Sequence, residues 1–126
     1  MTDARAFFDR FGRAFEAADG DAVAACFALP ALLTRDGVPT EIADADALRA
    51  SVAELLRVHE QAGVTRIRAA SVVVLEQAEA HTVVRVDWQL EREADSGPQP
   101  PWRYATTYVV LPDERIAAAL THGSPF

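Results

Sequence analysis

Up to Gly63 the apolar residues of this chain recur at helical spacing, and from Val64 onward they recur at the spacing of strands. Phe8, Phe11 and Phe15 follow one helical stripe, as do Leu48, Val52, Leu55, Leu56 and His59; Val84, Val86, Trp88 and Leu90 instead alternate with Arg85, Asp87, Gln89 and Glu91. A period near 3.6 lines side chains along one side of a helix, and a period of 2 sends them to alternate faces of a sheet. Helices first and a run of strands after them predict an α+β domain in which one face of an antiparallel sheet packs on the helices.

The local signals divide the chain further. Thr2 and Asp3 open a first helix that Gly20 ends, and Asp21 caps a short second helix over 22–28, stopped by Leu29-Pro30 because the residue before proline avoids helical backbone. A short strand over 31–35 meets the Asp36-Gly37 turn signal, and Asp44 or Asp46 caps the longest helix, closed by Gly63. Val64 to Glu76 and His81 to Glu93 read as strands, the segment from Ala94 to Pro101 as a long proline-rich loop, and Trp102 to Leu111 and Arg115 to His122 as a hairpin turning at Asp113-Glu114.

A two-residue turn pairs Leu111 with Ile116, Val109 with Ala118, Thr107 with Leu120 and Ala105 with His122. With these on the helix side, Trp102, Tyr104, Thr106, Tyr108, Val110, Ala117 and Ala119 fall on the opposite face. That face is too apolar to stay wet in a monomer and predicts a homodimer through the open sheet face.

Composition narrows the class. Half of the 126 residues are apolar, enough for a single domain over 1–126 that buries roughly two thirds of its unfolded surface. Its 12 basic residues, all Arg, stand against 19 acidic ones, giving a net charge of −7. That balance opposes phosphate backbones and anionic lipid heads, so neither nucleic acid nor a membrane is expected as partner; the Arg residues do not cluster in sequence. Without Lys there is no Schiff-base chemistry. The one cysteine, Cys26, sits among Ala24, Ala25, Phe27 and Leu29 and reads as a core residue. The first residues lack a basic region followed by an apolar core, and the longest apolar run is broken by Pro30, so a cytoplasmic location is expected.

The pattern resembles the nuclear transport factor 2-like superfamily, specifically its SnoaL-like bacterial branch. The resemblance rests on Phe7-Phe8 to Phe15, Asp19-Gly20-Asp21 with Val23-Ala24-Ala25-Cys26-Phe27, the 44–56 helix, Val86-Asp87-Trp88, and the hairpin of 104–111 with 115–120. It implies a cone: three N-terminal helices packed on a strongly curved sheet, a pocket between helix one and the sheet, and dimers through the outer face. Members similar to ketosteroid isomerase use an Asp base near the end of the first strand and a helix-one Tyr at the oxyanion. Here the base position falls near Arg35, and Phe8, Phe11 and Phe15, which cannot donate a hydrogen bond, occupy the candidate Tyr positions.

Phe11, Phe15, Leu33, Arg35, Arg103 and His122 are the residues that the resembled fold places in or near the pocket wall. Trp88 and Trp102, with Tyr104 and Tyr108, supply rings that suit a flat apolar ligand, although Trp88 and Tyr108 equally suit core and dimer packing. Asp87 and His122 are the candidate acid–base groups: Asp87 because a mid-strand carboxylate needs a partner such as Arg85 or Arg103, His122 because it ends the last strand on the face assigned to the helices. No histidine pair has metal-ligand spacing, and no cofactor motif occurs, so neither a metal nor a cofactor is expected. Two readings follow. One is a non-catalytic module binding a small apolar or acidic ligand or a partner; the other is a cofactor-independent lyase, cyclase or isomerase with Asp87 or His122 as base and Arg35 or Arg103 as electrostatic partner.

Overall fold

Among the described residues an aspartate caps each of three helices. The carboxylate of Asp3 accepts from the Ala6 amide (2.9 Å) ahead of α1 (Ala4–Glu16), that of Asp19 from Ala22 (3.1 Å) ahead of α2 (Gly20–Ala25), and that of Asp44 from Ala47 (2.9 Å) ahead of α3 (Ala45–Gln61). Each satisfies one of the orphan amides of a helix start. The computed structural model describes residue 1, residues 3–35 and residues 37–123, except for the Arg35 side chain; Thr2 and Asp36 lie outside the described residues. Helix two begins two residues earlier than Asp21 predicts and ends at Ala25, because the chain becomes extended at Phe27.

Six strands lie among the described residues: β1 (Phe27–Arg35), β2 (Val38–Ile42), β3 (Val64–Gln77), β4 (Thr82–Ala94), β5 (Gly97–Val110) and β6 (Ile116–His122). They form one sheet in the order β2-β1-β6-β5-β4-β3. All neighbours are antiparallel except β1 and β6, which run parallel, so the sheet is mixed rather than wholly antiparallel. Pro30 falls in the irregular stretch between the Phe27 and Leu32 pairings of β1 with β6, where a missing amide costs no ladder hydrogen bond. Register shifts recur along β3–β4, β4–β5 and β5–β6, and such bulges bend and twist long strands into a cone.

The predicted loop over 94–101 is instead a tight turn at Asp95-Ser96. Ala94 pairs with Gly97 and Glu93 with Pro98, so β5 begins at once. The prolines are tolerated because β6 reaches only as far as the Ala105–His122 pair; over 97–101 β5 has β4 on one side and, among the described residues, no strand on the other.

The two sheet faces are also exchanged relative to the expectation. Val110 pairs with Ile116 across a bulge, while the Val109–Ala118, Thr107–Leu120 and Ala105–His122 pairs are as predicted. Yet Thr106, Tyr108 and Val110 are buried on the helix side: the Tyr108 ring lies 4.6 Å from Phe8, and its hydroxyl accepts from Trp88 Nε1 at 2.9 Å. The reason is the pairing with β4, where Tyr108 stands opposite Val84, Thr106 opposite Val86 and Tyr104 opposite Trp88. Directly opposite residues share a face. Val84, Val86, Trp88 and Leu90 are all buried against α1, so β5 has no choice. The core thus lies between that face and Phe7, Phe8 and Phe11 of α1, with Leu48 and Val52 of α3 closing its side. The Glu16 carboxylate accepts from the Ile67 amide at 2.8 Å, tying the end of α1 to β3.

Candidate functional site

The helices do not fill the concave face of the sheet. A cavity of about 950 Å³ remains between them. Phe11 and Phe15 reach it from α1, spaced four apart on one helix side, and Ser51, Leu55 and His59 reach it from α3 at the same spacing. The sheet contributes Phe27 and Leu33 from β1, Ile67 from β3, Trp88 from β4, Tyr104 and Tyr108 from β5, and Thr121 from β6. Phe11 is the centre of the aromatic wall: its ring is edge-on to Phe15 (5.0 Å), Phe27 (5.8 Å) and Tyr108 (6.0 Å), preferred geometries for aromatic pairs.

Burial governs the titratable groups of the cavity. His59 is buried with its ring 5.8 Å from Phe15, and desolvation pushes its imidazole down from 6.5 to about 4. It is a neutral ring at pH 7. The cationic helix-end role that its position near the C-terminus of α3 suggests does not apply. Burial raises the phenols of Tyr104 and Tyr108 well above the ordinary range, so both keep their protons. Glu54 also lines the cavity. The walls therefore present aromatic carbon, hydroxyls, one neutral imidazole and, exposed on α3, the Glu54 carboxylate bonded to Arg57.

Four predicted ligand residues, Phe11, Phe15, Leu33 and Trp88, meet in this wall. Trp102 does not line it; its ring carries the Arg92 guanidinium at 4.7 Å, while Arg92 also bonds the Ala62 and Pro100 carbonyls. The side chain of Arg35 lies outside the described residues. Arg103, Asp87 and His122 are on the other face. Asp87 is half-exposed and pairs with Arg85 at 3.3 Å, and His122 is exposed with Nε2 3.1 Å from the Thr107 hydroxyl. The expectation that His122 faces the helices is overturned by the face exchange described above. Asp87 and His122 do share a shallow outer groove, since both stand in register with Ala105.

Cys26 donates to the Ala22 carbonyl at 3.4 Å, and burial raises its thiol pKa, as suits a packed residue rather than a thiolate nucleophile. Among the described residues no three His, Cys, Asp or Glu side chains converge as metal ligands, and no helix is long and apolar enough to cross a membrane. Sequence reasoning left His59 out of the site and offered Tyr104 and Tyr108 as candidate rings, Tyr108 equally as packing; all three line the cavity. His59 had a signal, its place on the stripe of Leu48, Val52 and Leu55; the face of the tyrosines is fixed only by the register of β4 with β5.

Three helices against one face of a curved sheet, with a cavity between the layers, define a cone-shaped α+β protein. The model of the family described as NTF2-like protein (DUF6841) matches residues 2–122, and the chain belongs to that family. No curated protein matches it. Among solved structures it is similar to a protein of unknown function from Mycobacterium tuberculosis, with TM-score 0.72 and 16% identity over 93% of this chain and 71% of that one. It is also similar to the β subunit of a benzoate 1,2-dioxygenase from Burkholderia mallei, with TM-score 0.70 and 17% identity over 96% of this chain and 88% of the other. A polyketide cyclase assignment attaches to a third, from Xanthomonas campestris, with TM-score 0.59 and 16% identity over 94% of this chain and 87% of that one. Identities this low speak to fold alone.

Proposed function

We propose that the protein is a non-catalytic module that holds a small, uncharged, largely aromatic ligand in the cavity between α1, α3 and the sheet. The observation that carries this reading is the separation of chemistry from cavity: both sequence-level acid–base candidates, Asp87 and His122, are on the outer face, while the inner walls are mainly rings and hydroxyls, with His59 neutral and the Glu54 carboxylate taken up by Arg57. A volume of about 950 Å³ suits a ligand of two to three fused rings, and apolar walls with few polar anchors are the usual form of such a site. In this cavity the enzymatic alternative would have to use His59, whose depressed pKa makes it a weak base at neutral pH, or Glu54, which is exposed and bonded to Arg57.

Native mass spectrometry of the purified protein tests this, together with titration by Nile red, a neutral apolar fluorophore. Saturable binding is expected, and Ser51→Trp, which fills the cavity from α3, should abolish it while Asp87→Asn leaves it intact. Binding that ignores Ser51→Trp, or that Asp87→Asn abolishes, would refute the assignment.

The interaction half of the proposal is self-association, moved to the true outer face. Leu32 of β1 is 39% exposed and stands in register with Ala118 of β6, itself beside Val109 of β5, with Leu120 one pleat on. Stable interfaces bury at least about 1,000 Å² in total, which this apolar half must supply with its rim. Sedimentation velocity is expected to give a dimer that Leu32→Glu dissociates; a wild-type monomer at micromolar concentration would remove the interface.

A further inference from the structure

The fold gathers what the sequence scatters. Among the described residues four arginines project from the outer face: Arg66 and Arg68 from β3, Arg85 from β4 and Arg103 from β5. Arg85 holds Asp87, and Arg66 stands opposite Glu91. Arg68 and Arg103 are different. Both are exposed, both are in register with Gln89 from opposite sides, and neither has an ion-pair partner among the described residues.

Neighbouring strands lie about 4.8 Å apart, so the two arginine backbones are roughly 10 Å apart with the half-buried Gln89 carboxamide between them. Arginine stems are long enough to converge over that gap. Two guanidinium groups brought together repel unless an anion lies between them. Beside them runs a groove of about 540 Å³ whose floor includes Ala70 and Ala105, too small to fill it, and whose far end carries the Arg85–Asp87 pair and His122.

We propose that this groove binds a small molecule through one oxyanion group, a carboxylate or a phosphate, seated over Gln89 between Arg68 and Arg103. The guanidinium forks supply paired charge-assisted donors and the Gln89 amide a third. The sheet separates this groove from the inner cavity, so the proposal stands independently of the function given above. The apolar half of the outer face, on β1 and β6, leaves it at the rim of the proposed dimer.

Amide NMR titration of the full chain at low ionic strength, with inorganic phosphate in one series and acetate in another, tests the site. Saturable shifts at Gln89 and Arg103 are expected, and whichever probe saturates identifies the oxyanion. Arg68→Gln and Arg103→Gln should each weaken binding by about tenfold or more, the loss of a charge-assisted pair. Gln89→Glu should abolish it by placing a carboxylate in the seat. Arg115→Gln, the same charge change in the β5–β6 turn, should leave it unaltered. Failure of both probes to saturate at millimolar concentration, or equal weakening by Arg115→Gln and Arg103→Gln, would overturn the proposal.

Discussion

Gly63→Ala is expected to destabilise the protein by about 4 kcal/mol or more, a large share of the 5–15 kcal/mol of an ordinary domain. Gly63 follows α3 with φ of +74°, where a side chain strains against its own carbonyl. A second effect dominates: a Cβ at this position would lie 1.9 Å from the Glu93 carbonyl oxygen and 3.0 Å from its carbon. Both are backbone atoms that cannot rotate away, and the Glu93 amide donates to the Gly63 carbonyl at 2.8 Å, locking the two segments together. The α3–β3 junction would have to part from β4. Gly37→Ala isolates the conformational part, because φ there is +78° with nothing within 4 Å of the added carbon, and its cost should be about 1 kcal/mol. Urea denaturation of the two variants measures the difference. Equal losses would mean that the close approach to Glu93 contributes nothing.

The helices, the core face of β4 and the pairing of β5 with β6 were legible in the sequence because each rests on a local pattern. Trp88 and its alternating neighbours permit one orientation only, and the Asp113-Glu114 turn brings Val109 to Ala118 within a bulge of the simplest register. What was not legible was the relation between these pieces. Val109 and Val110, or Thr106 and Thr107, offer nearly identical residues to both faces, so β5 alone does not say which of them is inside. The answer lies in its pairing with β4, and the prolines at 98, 100 and 101 disguised the tight turn that fixes it. One unread register then moved His122 and Tyr108 to the wrong sides.

The site was harder still to read, for a physical reason. A cavity is volume that side chains fail to fill, and it depends on the distance between α3 and the sheet rather than on any one residue. Phe11, Phe15, Leu33 and Trp88 announced themselves as apolar residues facing the core; nothing in their identity distinguished packing from lining. The arginines of the outer face show the converse. Arg68 and Arg103 are 35 positions apart in sequence and become neighbours only through a shared partner, Gln89.

Lowering the pH from 7 to 4 is expected to destabilise the protein by about 3 kcal/mol through His59 alone. In the unfolded chain its imidazole titrates near 6.5; in the fold, burial among Phe15 and the cavity wall pushes it down to about 4. Between those values unfolding takes up a proton. The stabilisation is therefore complete above about 6.5, falls as the pH drops through the window, and stops falling below about 4, where both states carry the proton. The charged form is disfavoured because the ring is desolvated, and Tyr104 and Tyr108, which line the same cavity, remain protonated and uncharged across this range. His59→Phe keeps a planar ring against Phe15 and cannot titrate. Urea midpoints at pH 7, 6, 5 and 4 should fall steeply for the native sequence between 6.5 and 4 and much less for the variant. A bound neutral ligand adds to the effect, since a proton on His59 would place a charge among the buried rings of the wall, and Nile red should leave as the pH falls through the same window. An identical decline in the His59→Phe variant would assign the acid sensitivity to another group.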